Sequence, residues 1–433
     1  MMKYIISILL SFSFINSFGQ QLLVVDENNN EPIENVAVYN LQRNRAAITD
    51  SLGVASPVIF MTSDTLVFQH PSYKVRIISY SSIADNPIVA LSKKNILMDE
   101  YIISASKSRE SKQVLPYTVS ILQRQELRTD LGQTSAEILL NTGNILIQKS
   151  QAGGGSPILR GFEANKILLV VDGVRMNNAI YRSGHLQNSI TIDHAALERT
   201  EVVFGPSSLI YGSDALGGVI HYYTKDPSLS TNKKVTFSGS AYTQYSTANR
   251  GKVGHLDFNL GNRNIASFTS VSYKDLENIR IGSKRNRFFG NWGKILHYVE
   301  PVNGVDSMFV NQDENIQHNT DYSQIDILQK FKYSPSDFID WLLNIQYSTS
   351  SNIDRLDKLN DYSNGVLKYA DYYYGPQDRL LVSVKNVNKN DNPLFTNATS
   401  IFAYQNINED RITRKFRSPE KLFQLEKVNV LSL

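Results

Sequence analysis

The chain has 433 residues and no cysteine, and its 44 Lys and Arg against 41 Asp and Glu give a formal net charge of +3. Near neutrality argues against a nucleic-acid binder driven by charge, and the missing cysteine excludes disulfides, thiolate metal sites and a lipid anchor on a thiol. With 23 Tyr and 19 Phe beside 2 Trp, the aromatic content suits β structure and a membrane-interface belt.

Residues 1–19 read as a secretory signal peptide. Lys3 gives the positive start, residues 4–14 the apolar core, and Ser17 and Gly19 the small residues ahead of Gln20. The apolar run is short for a membrane helix of about 20 residues. No later stretch reaches that length, so the chain would cross a membrane only as a β-barrel. From 20 to 95, strand-like runs at 22–25, 36–41, 65–69, 75–80 and 88–91 alternate with turn clusters at 26–30 and 50–53, which predicts a small β-sandwich.

Residues 96–112 form a polar linker around one apolar patch, Tyr101-Ile102-Ile103. The patch reads either as the last strand of the sandwich or as an extended segment that pairs with the edge of another protein's sheet, since main-chain hydrogen bonds demand no single sequence. Residues 113–228 predict a small α/β domain. Strands are expected at 117–122 and 145–147, and helices at 126–131 and 135–141. A strand buried on both faces is expected at 167–171, closed by the turn signal Asp172-Gly173. A short helix at 195–199 and a second buried strand at 200–204 follow, and Gly205-Pro206 breaks that strand. The glycine-rich loop 151–157 lacks the Lys-Ser/Thr of a phosphate cradle.

From Lys234 onward the rhythm is period two. Leu256, Phe258 and Leu260 alternate with His255, Asp257 and Asn259; Ile325, Ile327, Phe331 and Tyr333 alternate with Asp326, Lys330 and Lys332. Such segments, apolar outward and polar inward, are what a transmembrane β-barrel strand requires. Between them, 275–321 reads as a long loop. Arg280, Lys284, Arg285, Arg287 and Lys294 stand there among Phe288, Phe289 and Trp292, either as a grip for an anionic cargo or as a solvated loop.

Four motifs stand in fixed order between 158 and 225: Arg160-Gly161-Phe162, then Val170-Val171-Asp172-Gly173-Val174-Arg175, then Glu201-Val202-Val203-Phe204-Gly205-Pro206, then Leu209-Ile210-Tyr211-Gly212 with Gly217-Gly218-Val219-Ile220. Together they resemble the plug domain of TonB-dependent outer-membrane receptors. Residues 20–95 resemble the carboxypeptidase regulatory-like domain that precedes the plug in many Bacteroidetes receptors, at Val25-Asp26, Pro32-Ile33, Thr49-Asp50 with Gly53, and Asp64-Thr65-Leu66; the name carries no peptidase activity. Glu100, Tyr101, Ile102, Ile103, Ser104, Ala105 and Ser106 resemble, by position, the TonB box.

The resemblance implies a mainly β chain: a signal peptide (1–19), a β-sandwich (20–95), a linker (96–112), a small α/β plug (113–228) and the first part of an antiparallel transmembrane β-barrel (229–433). The barrel reads as incomplete. Seven or eight strands fit after Lys234, whereas a barrel that encloses a plug needs about 22. Residues 417–433 fit the strand rhythm poorly and end without a terminal aromatic, so the expectation is a fragment, or a frame-shifted or early-ended reading frame.

The function implied is energy-coupled uptake across the outer membrane, without covalent chemistry and without an intrinsic cofactor. The implied partners are TonB with ExbB and ExbD, outer-membrane lipids and a surface lipoprotein, for a monomer with periplasmic N-terminal domains and no nucleic acid. Cargo would meet the plug loop 176–188 through Asn177, Asn178, Tyr181, Arg182 and His185. Ser183-Gly184-His185-Leu186 resembles the Gly-His-Leu-Asn segment of bacterial haem receptors, where the histidine ligates iron, although Gln187 replaces the Asn. Haem or a ferric siderophore is therefore the expected cargo, and His185 the expected metal ligand. The alternatives are a SusC-like glycan or cobalamin importer, or a non-transporting remnant that only engages TonB. Neither a Gly-x-Ser-x-Gly elbow nor a His-Glu-x-x-His pair points to an enzyme.

Overall fold

In the long strands of the computed structural model, polar side chains are buried and apolar ones exposed, the reverse of a water-soluble sheet. The structure describes residues 22–433 apart from 28, 57–58, 84–86, 94–100, 103, 105–109, 112–116, 130–131, 181–188, 232–233 and 390–394. No helix among the described residues is long and apolar enough to cross a membrane. Two units divide near residue 100.

The first unit holds two small sheets. Leu22–Asp26 pairs parallel with Ile88–Leu91 and antiparallel with Val54–Ala55; Ala37–Asn40 lies between Ala46–Ile48 and Thr65–Gln69, with Arg76–Ser79 beyond. Leu22, Val24, Val36, Val38, Leu66, Phe68, Val89 and Leu91 share one core. The strands at 46–48 and 54–55 are too short to show alternation, so the sequence pattern passes over them.

The second unit begins with a five-stranded sheet in the order Thr118–Gln123, Leu197–Phe204, Gly218–Thr224, Ile167–Val171, Val174–Arg175. Every residue of Ile167–Val171 is buried. Leu169 and Val171 face a core with Leu122, Ile138, Leu139 and Val202; Leu168 and Val170 face a second core with Val119, Val203 and Val219. A strand covered on both faces has no use for alternation, which explains the continuous apolar run. The helices Arg124–Thr129 and Ser135–Asn141 cover the first of these cores, and Thr134 caps the second helix by accepting from the Glu137 N–H.

Eight antiparallel strands follow, each hydrogen-bonded to the next: Thr236–Ser246, Gly251–Gly261, Ile265–Leu276, Tyr322–Ser336, Ile339–Ser350, Asp378–Asn388, Ala398–Asn408 and Lys427–Ser432. The first and last do not pair, so the sheet is open. His255, Asp257 and Asn259 are buried against the plug, while Leu256 is 51% and Leu260 48% exposed. Inward polar and outward apolar is the arrangement a lipid-facing wall demands.

Two parts of this region differ from the sequence expectation. Segment 277–321 is folded: His297–Val302 and Val305–Val310 form a hairpin whose turn residues Asn303 and Gly304 have φ of 49° and 80°. Asn-Gly is the strongest short hairpin signal, and it was masked by the weak alternation around it. Residues 417–433 are likewise drawn into sheets, as Lys421–Gln424 and Lys427–Ser432, because main-chain pairing does not require alternating side chains.

Leu169→Ala removes a fully buried side chain from the strand both cores share. The expected loss is about 2–5 kcal/mol, read as a lower denaturant midpoint for the second unit with its transition slope unchanged.

Candidate functional site

Asp172 and Gly173 are the central pair of a two-residue hairpin between Val171 and Val174. Their φ values of 49° and 89° are those of the turn type that continues a strand's twist, which Asp tolerates and Gly favours. The turn presses on the barrel wall: a Cβ on Gly173 would lie 2.6 Å from Ile401 Cδ1. It also carries the Asp172 carboxylate to the junction of plug and wall. Thr224 of the adjoining strand donates its N–H and hydroxyl to it at 2.9 and 2.6 Å. From the wall, Asn344 Nδ2 and Gln346 Nε2 each donate at 3.0 Å, and Lys330 Nζ lies 3.2 Å away.

Lys330 is wholly buried and also donates to Asp226 at 2.6 Å. A buried ammonium persists only where anions and acceptors surround it. The Asp172 cluster is therefore a clasp between plug and wall.

A second polar seam lies beside it. Lys225 Nζ donates to Asp257 at 2.5 Å, and His255 touches both Asp257 and Ser272. The Ser272 hydroxyl donates to Asp193 at 2.6 Å, and Lys274 bridges Asp193 and Asp326 at 3.7 and 3.6 Å. Ser348 and Gln324 donate to Asp326, and Gln324 also donates to the Ile190 carbonyl. A narrow crevice lined by Thr191, Asp193, Thr224, Asp326 and Gln346 follows this seam. Burial pushes the Asp193 carboxyl up, but the Lys274 charge and the Ser272 hydroxyl outweigh it and leave it below the usual carboxylate range. Burial, with Lys274 nearby, lowers His194 to about 4.

The motif residue Glu201 is 0% exposed and serves a different contact. It accepts the N–H and hydroxyl of Ser104 at 2.9 and 2.7 Å and Arg199 Nε at 2.7 Å. Burial raises its carboxyl, yet these donors bring it below the usual range. Ile102 is fully buried beside Val119, Leu168, Val170 and Val203, with Tyr211 packed against the same cluster. The backbone of Tyr101 and Ile102 pairs with Ser111 and Glu110. Glu100, Ile103, Ala105 and Ser106 lie outside the described residues.

The remaining motif positions shape the plug. Arg160 and Gly161 form a turn closed by reciprocal hydrogen bonds between Leu159 and Phe162, and the Arg160 guanidinium lies 5.3 Å from the Phe204 ring centre. A Cβ on Gly217 would meet Phe162 Cβ at 2.3 Å, so that position admits glycine alone. Gly205 donates to the Gly217 carbonyl, which draws Pro206, Tyr211 and Gly212 into one loop ending at Gly218.

Of the cargo-loop positions, Asn177 is bonded to the backbone of Leu169 and Ile167, and Asn178 to that of Met176 and Ile180. Both amides fix the start of the loop; Tyr181, Arg182 and His185 lie outside the described residues. In segment 277–321, Arg280 and Lys294 are paired with Asp313 and Glu314, each at 2.5 Å. No group of three or more metal-ligating side chains occurs among the described residues.

The wall partners Lys330, Asn344 and Gln346 belong to no motif, and the motif reading of Ser104 does not give its bond to Glu201. For Lys330 a signal existed: a cation at an inward position of an otherwise apolar-alternating strand needs an anion opposite.

His194 gives the plug a pH dependence of known sign. Its folded pKa of about 4 lies below the ordinary histidine value of 6.5, so on acidification the unfolded chain takes up the proton first. The stability it contributes is complete above about pH 6.5 and is lost as pH falls toward 4. Denaturant midpoints at pH 7.5, 5.5 and 4.5 should fall more steeply for the native chain than for His194→Gln.

Residues 111–219 match the family described as TonB-dependent Receptor Plug Domain. Over 204 residues the chain is 29% identical to the Hemin receptor of Yersinia enterocolitica, which covers 46% of this chain and 28% of that protein. It is 28% identical over 148 residues to the Vitamin B12 transporter BtuB of Vibrio vulnificus (strain CMCP6), covering 34% of this chain and 24% of that one. The chain thus spans less than a third of the length of these relatives. Among solved structures, the Copper transporter OprC superposes with a TM-score of 0.51 at 11% identity, covering 68% of this chain and 38% of that one, a likeness of fold. The chain carries the plug domain of a TonB-dependent receptor, clasped against strands with the fold of such a receptor's barrel wall.

Proposed function

We propose that this chain belongs to an energy-coupled transporter of the bacterial outer membrane whose cargo is haem or another iron chelate. The observation that carries the proposal is the clasp: a plug held by buried polar groups against strands whose other face is apolar and exposed. Such a plug can be released by changing a few contacts, because a polar seam that loses one partner loses much of its reason to stay closed. TonB, energised through ExbB and ExbD, engages residues 100–106, and the plug rearranges to let cargo pass. The two-sheet first unit serves as a periplasmic regulatory-like domain. No step makes or breaks a covalent bond.

Haem is favoured over other cargo by the likeness to haemin receptors and by Ser183-Gly184-His185-Leu186, since neutral imidazole is a good ligand for haem iron. Cobalamin is the second reading, supported by the vitamin B12 transporter relatives. Titration of the detergent-solubilised chain with haemin and with cyanocobalamin, followed by absorbance, separates them. Haem uptake predicts saturable haemin binding with a Soret shift, weakened about tenfold or more (at least about 1.4 kcal/mol) in His185→Ala. Saturable cyanocobalamin binding with haemin binding unaffected by His185→Ala would contradict it.

A further inference from the structure

Segment 278–299 carries no acid, and its cations Lys284 and Arg285 stand close in sequence to three aromatic side chains that water reaches freely. Phe288 is 84%, Phe289 66% and Trp292 74% exposed. Successive turns fix their backbone: Phe289 donates its N–H to the Asn286 carbonyl, Trp292 to that of Phe289, and Lys294 to that of Asn291. Gly290 and Gly293 take φ of 55° and 74° to make these turns. The ring centres of Phe289 and Trp292 lie 6.5 Å apart. The knuckle 284–293 thus presents rings that are ordered yet little covered.

Its charge is unbalanced. Asp313 and Glu314 of the returning segment are taken by Arg280 and Lys294. Lys284 and Arg285 have no anionic partner among the described residues, and Arg285 Nη2 finds no acceptor there. The level of the knuckle is fixed as well. Ile265–Leu276 has 12 residues, enough when tilted to cross an apolar layer of about 25 Å. Three residues further, Ile279–Arg280 pairs with Ile316–Gln317, and the Gln317 amide donates to the Gly293 carbonyl at 3.0 Å. Gly293, next to Trp292, is therefore tied to a pair about 10 Å beyond the strand's end, the scale of a headgroup layer. At this end of the wall the connections are 277–321 and 351–377, whereas 262–264 and 337–338 serve the other end. Long connections mark the outer face.

We propose that the knuckle 284–293 is an anchor in the outer leaflet of the membrane. Phe288, Phe289 and Trp292 enter the boundary between headgroups and acyl chains, and Lys284 and Arg285 take lipid phosphates. Aromatic rings settle at that boundary because it is apolar on one side and wet on the other, and cations gather at its anionic surface. Level and charge together favour a lipid surface over a protein partner. Held there, the knuckle fixes the base of segment 277–321 at the membrane. The anchor rests on reading the eight strands as a membrane wall, which the test checks separately.

The chain has two tryptophans, Trp292 in the knuckle and Trp341 on the apolar face of Ile339–Ser350. Trp341→Phe leaves the first as sole reporter, and Trp292→Phe the second. Both variants of the full chain are reconstituted in phosphatidylcholine vesicles brominated near the headgroup end of the acyl chains, with and without lipid A, a phosphorylated glycolipid. With lipid A, Trp292 emission should move to shorter wavelength and be quenched about twofold or more. Lys284→Gln with Arg285→Gln should cut the lipid A-dependent part of that quenching at least about twofold. Trp341 quenched with Trp292 unquenched overturns the anchor and leaves the wall reading intact. Neither tryptophan quenched overturns both. Equal quenching with and without lipid A, unmoved by the double substitution, overturns the phosphate contacts. Quenching of Trp292 by haemin in detergent, with none by the brominated lipid, assigns the knuckle to cargo and overturns the anchor.

Discussion

A buried ammonium must have its charge met, and in this chain Lys330 meets Asp172. The pair joins a strand of the wall to a turn of the plug, 158 positions apart by subtraction of their numbers. Lys330 also has Asp226, and Asp172 accepts from Thr224, Asn344 and Gln346, but removing either member of the pair takes from the other its charged partner across the junction. The geometry that makes the pair possible is equally constrained. Asp172 reaches the wall because the turn at 172–173 adopts positive φ, and the wall approaches because Gly173 has no Cβ to meet Ile401. A hydrophobic contact of the same area would hold the two parts together but would not be easily undone. A polar clasp is specific in register and can be opened by a change of partners.

The plug sheet serves as the frame between this clasp and the segment at 101–104. Its strand 167–171 is buried on both faces, which makes it stiff, and most of its other positions are apolar. Strand 197–204 shows the division plainly. Val202 and Val203 pack into opposite cores, while Glu201 between Thr200 and Val202 accepts from Ser104 and Arg199. A glutamate in such a strand is out of place for packing and is explained by what it holds.

Much of this was legible in the sequence for physical reasons that can be named. The run 167–171 announced a doubly covered strand, Asp172-Gly173 announced a turn, and the alternation from 255 to 260 announced a wall with a polar inside. What stayed hidden was long-range pairing. Glu201 is recognisable as a motif residue, but nothing local says that it holds Ser104, 97 positions earlier. Asn177 and Asn178 are cargo-loop positions by the family resemblance, and nothing local announces that their amides bond the neighbouring backbone. The hairpin at 297–310 was obscured because its flanking strands are half-exposed and irregular, so the Asn-Gly turn stood without the pattern that usually accompanies it.

The most direct measurement is a double-mutant cycle on the clasp, with Asp172→Asn and Lys330→Met alone and together, read as unfolding free energies of the full chain in detergent. The account predicts that the double variant is more stable than the sum of the singles implies, with a coupling of about 1–3 kcal/mol. Additivity to within about 0.5 kcal/mol would mean that the two charges do not depend on each other, and the clasp would not be what holds plug to wall.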